Sequence, residues 1–181
     1  MIYKKRGAAH EKIILILNHV TAGMGSDENA QLPPSGKKAA LGPGRTLNPL
    51  FQEQDAQIVA TLYCGDQYYH EHQEEVNKKF VGFAKKFEAD AVLCGPAMHY
   101  PNFGEMAAGL TKVFNAQGIP GAAAMSEENP AVAIYAKDIY ILKMPKKGGI
   151  GLNDSYKKMA HVVSQLAHGK PLTEVDQEDL F

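Results

Sequence analysis

Four short apolar runs constrain this chain more than any other feature of it: Ile13 to Asn18, Ile58 to Cys64-Gly65-Asp66, Ala91 to Cys94-Gly95-Pro96, and Gly121 to Met125 followed by Glu127-Glu128-Asn129-Pro130. Each has the length of a strand and closes on residues that mark a handover to a loop. Longer segments of helical period lie between them, and that alternation argues for βαβ units and a mainly parallel sheet. Val76, Phe80, Phe83 and Phe87 recur at the spacing of one helix face. A second helix is expected over 103–116, with Met106, Leu110, Val113 and Phe114 inward and Gly118 as its terminator. A third is expected over 154–167, with Tyr156, Met159, Val162, Val163 and Leu166 inward and Gly169 and Pro171 to stop it. A turn or short helix over 129–136 leads to a fifth strand over 138–144. The expected fold is a three-layer α/β/α sandwich on a mainly parallel sheet of about five strands, Rossmann-like or flavodoxin-like. Such sheets bind ligands beyond the carboxyl ends of their strands, so the loops after the four runs are where a site belongs.

A length of 181 residues with no Pro/Ser-rich linker points to a single domain over 1–181. Within it, the segment 21–45 carries five Gly and three Pro without any period, the mark of a long functional or mobile loop, and 173–181 is an acidic tail. A net charge of -1 with scattered basic pairs and no aromatic interleaving argues against nucleic-acid binding. No apolar run approaches the roughly 20 residues of a membrane span, and the amino-terminal one is too short for a signal segment. A cytoplasmic chain with two reduced thiols is the expectation.

Several strand-end residues have the chemistry of a site. Cys64 is either a reactive thiol or a small core residue, and Asp66 either binds an ammonium group or caps the following helix. Gly95-Pro96-Ala97-Met98-His99-Tyr100 leads into a helix starting near Asn102, whose free amides suit a carboxylate. His99 is a candidate acid or base. Arg45 offers a planar fork to a carboxylate, while Glu127 or Glu128 offers a carboxylate to an amine, with Tyr68, Tyr69 or Tyr100 adding a π face. His70-Glu71-His72 has poor metal-ligand spacing, and no metal site is expected. Gly23-Met24-Gly25 and Gly42-Pro43-Gly44-Arg45 lack the spacing of a phosphate-binding loop.

Taken in order, Leu17-Asn18-His19 with Gly23-Met24-Gly25-Ser26-Asp27-Glu28, Leu41-Gly42-Pro43-Gly44-Arg45, Val59 to Asp66, Gly95-Pro96-Ala97, Tyr100 to Gly104, Gly118-Ile119-Pro120 and Met125 to Val132 resemble the amino-terminal part of the selenoprotein B component of glycine, sarcosine and betaine reductases. The resemblance implies a component of an anaerobic reductase that removes an amino group from a small amino acid or methylated amine, leaving an acetyl group on selenium and sulfur. It implies that this component selects the substrate, whose carboxylate would meet Arg45 or the amides after Gly95 and whose amine would meet Asp66 or Glu127. The family's reactive selenocysteine lies in a carboxyl-terminal half that this sequence lacks, so a selenocysteine or cysteine centre is expected on a partner and no cofactor within the chain. Where Met98-His99-Tyr100 stand, the resembling family tends to have a small residue or Asn, and where Ser26 stands it tends to have a second Gly. A stand-alone homologue, half of a split enzyme and a shortened chain all fit, as does a homo-oligomer. The alternative is a non-catalytic small-molecule-binding or scaffold domain on the same fold.

Overall fold

The computed structural model describes residues 10–181, so the basic start Lys4-Lys5-Arg6 lies outside the described residues. Six strands form one sheet: β1 (Glu11–Asn18), β2 (Ser35–Lys37), β3 (Ala56–Cys64), β4 (Ala91–Cys94), β5 (Gly121–Ser126) and β6 (Ile141–Met144), in the order β2-β3-β1-β4-β5-β6. All neighbours pair in parallel except β2, which runs antiparallel to β3. Without β2, the five parallel strands follow the doubly wound order 2-1-3-4-5, in which the chain reverses its direction of travel between β1 and β4. The three-layer α/β sandwich expected from the sequence is therefore the fold, with a sixth strand added.

The central strands are apolar on both faces, as a sheet covered by helices on each side requires. Ile13 to Leu17 of β1 are all fully buried. One face is covered by α1 (Gly44–Gln52) and α6 (Leu152–Ala167), the other by α2 (Asp66–Glu71), α3 (Gln73–Lys86), α4 (Pro101–Ala116) and α5 (Ala131–Tyr135). In α6, Tyr156, Met159, Val162 and Val163 face the sheet as their spacing predicts. In α3 the buried stripe is Val76, Phe80 and Ala84 with Val81, whereas Phe83 is 37% exposed. The stripe is centred on Phe80 and Ala84, which leaves Phe83 at its margin.

Two segments are more ordered than their composition implies. Within 21–45, β2 pairs Ser35 with Tyr63, and the Thr61 hydroxyl donates to the Ala39 carbonyl at 2.7 Å while accepting from the Leu41 amide at 3.1 Å. The acidic tail folds into α7 (Glu174–Glu178), opened by a capping box in which Thr173 and Asp176 each bond the other's backbone amide. The last residues then lie along β6: the Lys143 amide donates to Asp179 and the Phe181 amide donates to Ile141. An edge strand that would otherwise expose unpaired backbone is thereby covered.

Candidate functional site

A cleft of about 560 Å³ opens at the carboxyl ends of β1 and β4, where the doubly wound order reverses. Its wall comes from three loops: Asn18 to Thr21 after β1, Asp66 and Gln67 after β3, and Tyr100 to Asn102 after β4. Ser26, Asp27 and Ala30 of the long loop close one side.

Asn18 organises the meeting of the first two loops. It is buried, its Nδ2 donates to Asp66 Oδ2 at 3.1 Å, and its Oδ1 accepts from both the amide and the hydroxyl of Thr21 at 2.9 and 2.8 Å. Asp66 stands at the first position of α2, which begins directly behind Gly65. A Cβ on Gly65 would collide with the Ala30 carbonyl, because the amides of Gly65 and Tyr68 donate to Leu32 and Ala30. Close backbone approach is thus what brings Asp66 beside the long loop.

The third loop is held from beneath. Gly95 has φ +114, and a Cβ there would lie 2.7 Å from the Ala124 carbonyl; the Gly95-Pro96 bond is cis and both residues are buried. Asn129 is 1% exposed, and its Nδ2 donates to the carbonyls of Met98 and Tyr100 at 3.1 and 3.0 Å. This brace sets the start of α4, whose Tyr100 cap supplies no side-chain hydrogen bond to the first-turn amides. Tyr100 itself is 53% exposed on the rim.

Of the residues marked in the sequence, Asp66, Tyr100 and Asn102 share the cleft, and Gly95 and Pro96 lie beneath its wall. The others stand elsewhere. Arg45 is exposed in the first turn of α1 and is not part of the cleft wall. Glu127 and Glu128, after β5, turn to the loop beyond β6: Glu127 pairs with Lys146 at 3.7 Å, and Glu128 accepts from the Lys147 amide at 2.9 Å. Tyr68 donates to Glu75 at 2.5 Å and stacks on His72, and His99 packs against Tyr100 with ring centres 4.4 Å apart. Burial, with the Asp66 carboxylate adding to it, pushes the Cys64 thiol up to about 12; burial pushes Cys94 to about 12 as well, against a hydrogen bond with Thr111. Both therefore stay protonated near neutral pH, without the thiolate that nucleophilic sulfur chemistry needs. Among the described residues no group of three metal-ligating side chains comes together.

The charge of the cleft is one-sided. Among the described residues, Asp27 and Asp66 line it, no Lys or Arg does, and Asp66 forms no ion pair. Such a wall suits a cationic group, and the exposed ring of Tyr100 adds a face for one. A further residue in the wall was not singled out for the site in the sequence: His19 is 2% exposed, and neither ring nitrogen has a hydrogen-bond partner among the described residues. Its place directly after the first apolar run was the available signal.

Fold and cleft together define a doubly wound α/β domain with an open cleft at its switch point. The chain belongs to the glycine/sarcosine/betaine reductase selenoprotein B family, whose model matches residues 10–181. It is 33% identical over 160 residues to the sarcosine reductase complex component B subunit beta of Peptoclostridium acidaminophilum, covering 88% of this chain and 36% of that relative. It is 31% identical to the glycine reductase complex component B subunit gamma of Carboxydothermus hydrogenoformans, covering 92% and 38%. A betaine reductase complex component B subunit beta from Peptoclostridium acidaminophilum is 26% identical over 94% of the chain and 39% of its own length. The chain thus spans well under half the length of these relatives, which are components of reductase complexes. No solved structure matches it. Among the described residues no helix is long and apolar enough to cross a membrane.

Proposed function

We propose that this chain is the substrate-selecting component of a reductase of the glycine, sarcosine and betaine type, and that the switch-point cleft holds a small amino acid or methylated amine. The observation that carries this reading is the one-sided charge of the cleft, where Asp66 is oriented by Asn18 and has no cationic partner among the described residues. An ammonium or methylated ammonium group supplies that partner, and Tyr100 shields it from water. The reactive selenium or sulfur atom comes from another chain or segment, in keeping with the buried, protonated state of Cys64 and Cys94. Partner subunits are accordingly part of the working assembly, as the complexes named for the relatives imply.

The test has two arms. Glycine, sarcosine and betaine are titrated against the purified chain by NMR, where resonances of Asn18, Asp66 and Tyr100 should shift and Asp66→Asn should weaken binding about tenfold or more. Reconstitution with candidate partner subunits and a dithiol reductant should then make turnover depend on this chain. An absence of shifts with all three compounds, together with turnover indifferent to the chain, refutes the reading.

A further inference from the structure

His19 is the side chain whose environment is hardest to reconcile with a purely structural role. Buried polar groups are paired in folded proteins, and those left unpaired require a reason. Both nitrogens of His19 lack a partner among the described residues, although the side chain borders an open cleft with polar neighbours. Its backbone carbonyl accepts from the Met24 amide at 2.9 Å and so fixes the turn that follows β1. The ring is therefore held in place while its polar atoms are left over.

A zwitterionic ligand poses a matching problem. Asp66 and Asp27 accommodate its cationic end, yet among the described residues the cleft wall contains neither Lys nor Arg for its carboxylate. Arg45, the residue the sequence offers for that task, stands outside the wall. Among the described residues, His19 is the only side chain of the wall able to carry a positive charge. Neither nitrogen meets solvent as the cleft stands, so contact with a ligand requires a wall side chain to move. Val20 and Tyr100, 46% and 53% exposed, border the cleft and have room to do so.

We propose that His19 is the specificity-determining residue of the cleft: its imidazole N–H donates to the ligand's carboxylate, opposite the Asp66 pole that takes the amine. This rests on the cleft being the ligand site. His19 is what lets the protein prefer a carboxylate-bearing amine over a plain amine of the same shape. With no hydrogen bond to the ring among the described residues, it is desolvated in advance and gains one only when the correct ligand enters.

The experiment compares ligands matched in their cationic end: betaine against tetramethylammonium, and glycine against methylamine, titrated by NMR against the full chain with labelled imidazoles. In the wild type the carboxylate-bearing member of each pair binds about tenfold or more tightly, and the His19 ring resonances move with betaine but not with tetramethylammonium. In His19→Leu that ratio falls to about one while the affinity for tetramethylammonium is unchanged. His19→Gln, which keeps an N–H donor, restores part of the preference and guards against a folding defect in the leucine variant. A ratio that survives in His19→Leu, with Asp66→Asn still weakening binding, overturns the role of His19 and leaves the cleft standing. Equal binding of both members of each pair by the wild type also overturns it. Binding of none of the four compounds overturns the cleft reading and this inference together.

Discussion

Histidines stand at both ends of the parallel sheet, and the two ends treat them in opposite ways. At the amino-terminal ends of the strands, His168 Nε2 donates to the Gln54 carbonyl at 2.9 Å, and its Nδ1 lies 3.8 Å from Glu11. His161 Nε2 meets Asp176 at 3.0 Å, tying α6 to α7. At the carboxyl-terminal ends, His19 is more deeply buried than either and has no partner among the described residues. One end uses imidazole as a clamp between elements distant in sequence. The other holds an imidazole with neither nitrogen hydrogen-bonded among the described residues, beside the cleft where the strand order reverses. The contrast extends to the backbone: the cleft end adds close main-chain approaches around Gly65 and Gly95 to the side-chain braces of Asn18 and Asn129.

The sharpest way to break this contrast is to add one carbon at the cleft end. Gly65→Ala drives a Cβ into the Ala30 carbonyl, and we expect a loss of about 3 kcal/mol in denaturant unfolding. A loss near zero would mean that the 30–32 segment is not seated on α2. At the clamped end, Asp176→Ala removes the capping box and the contact with His161, and should cost about 2 kcal/mol. The same site supplies a pH dependence. Burial alone would raise the Asp176 carboxyl, but hydrogen bonds from Thr173 and the nearby His161 outweigh it and hold the carboxyl below its ordinary value. A depressed native value contributes stability that is complete above the ordinary carboxylate range and is lost as pH falls through the depressed one. Hydrogen exchange at the Phe181 amide, bonded to Ile141, should therefore accelerate, relative to core amides, as pH falls below about 4.

A smaller effect tests the histidines directly, through one substitution with opposite signs at the two ends. His168→Leu leaves the Gln54 carbonyl without its donor and should lower stability by about 1 kcal/mol, whereas His19→Leu removes a buried polar ring without partners and should raise it by about 1 kcal/mol. Two losses of similar size would show that His19 is as structural as His168. The smallest expected effect is an absence of reaction: in the native protein at pH 8, neither Cys64 nor Cys94 should be alkylated by iodoacetamide within the time that denatured chain is fully labelled.

Much of the architecture was legible from periodicity. Apolar runs of strand length gave away β1, β3, β4, β5 and β6, and the inward residues of α4 and α6 follow their spacing closely. The antiparallel strand Ser35–Lys37 was not legible, since it is exposed along its whole length and has no apolar pattern to show. The docked tail escaped for a similar reason: its fixed points are a capping box and backbone bonds to β6, which hydropathy does not register. Within the site, Asp66, Tyr100 and Asn102 were visible as strand-end residues that reach the cleft. Asn129 was hidden because its function is to brace a loop some thirty positions earlier in the chain.

What the amino-acid sequence determined by itself is local: which segments bury two faces, which bury one, and where each strand hands over to a loop. Which of those handovers meet was decided only in three dimensions. Residues after β1, β3 and β4 converge because β1 sits between β3 and β4, while Glu127 and Glu128 follow β5 and turn to the loop after β6 instead. Lateral strand order is set by packing and register between segments tens of residues apart, and no period within a segment encodes it. The same reason kept His19 out of sight: a histidine after an apolar run draws no notice until the fold shows that, among the described residues, neither ring nitrogen has a hydrogen-bond partner.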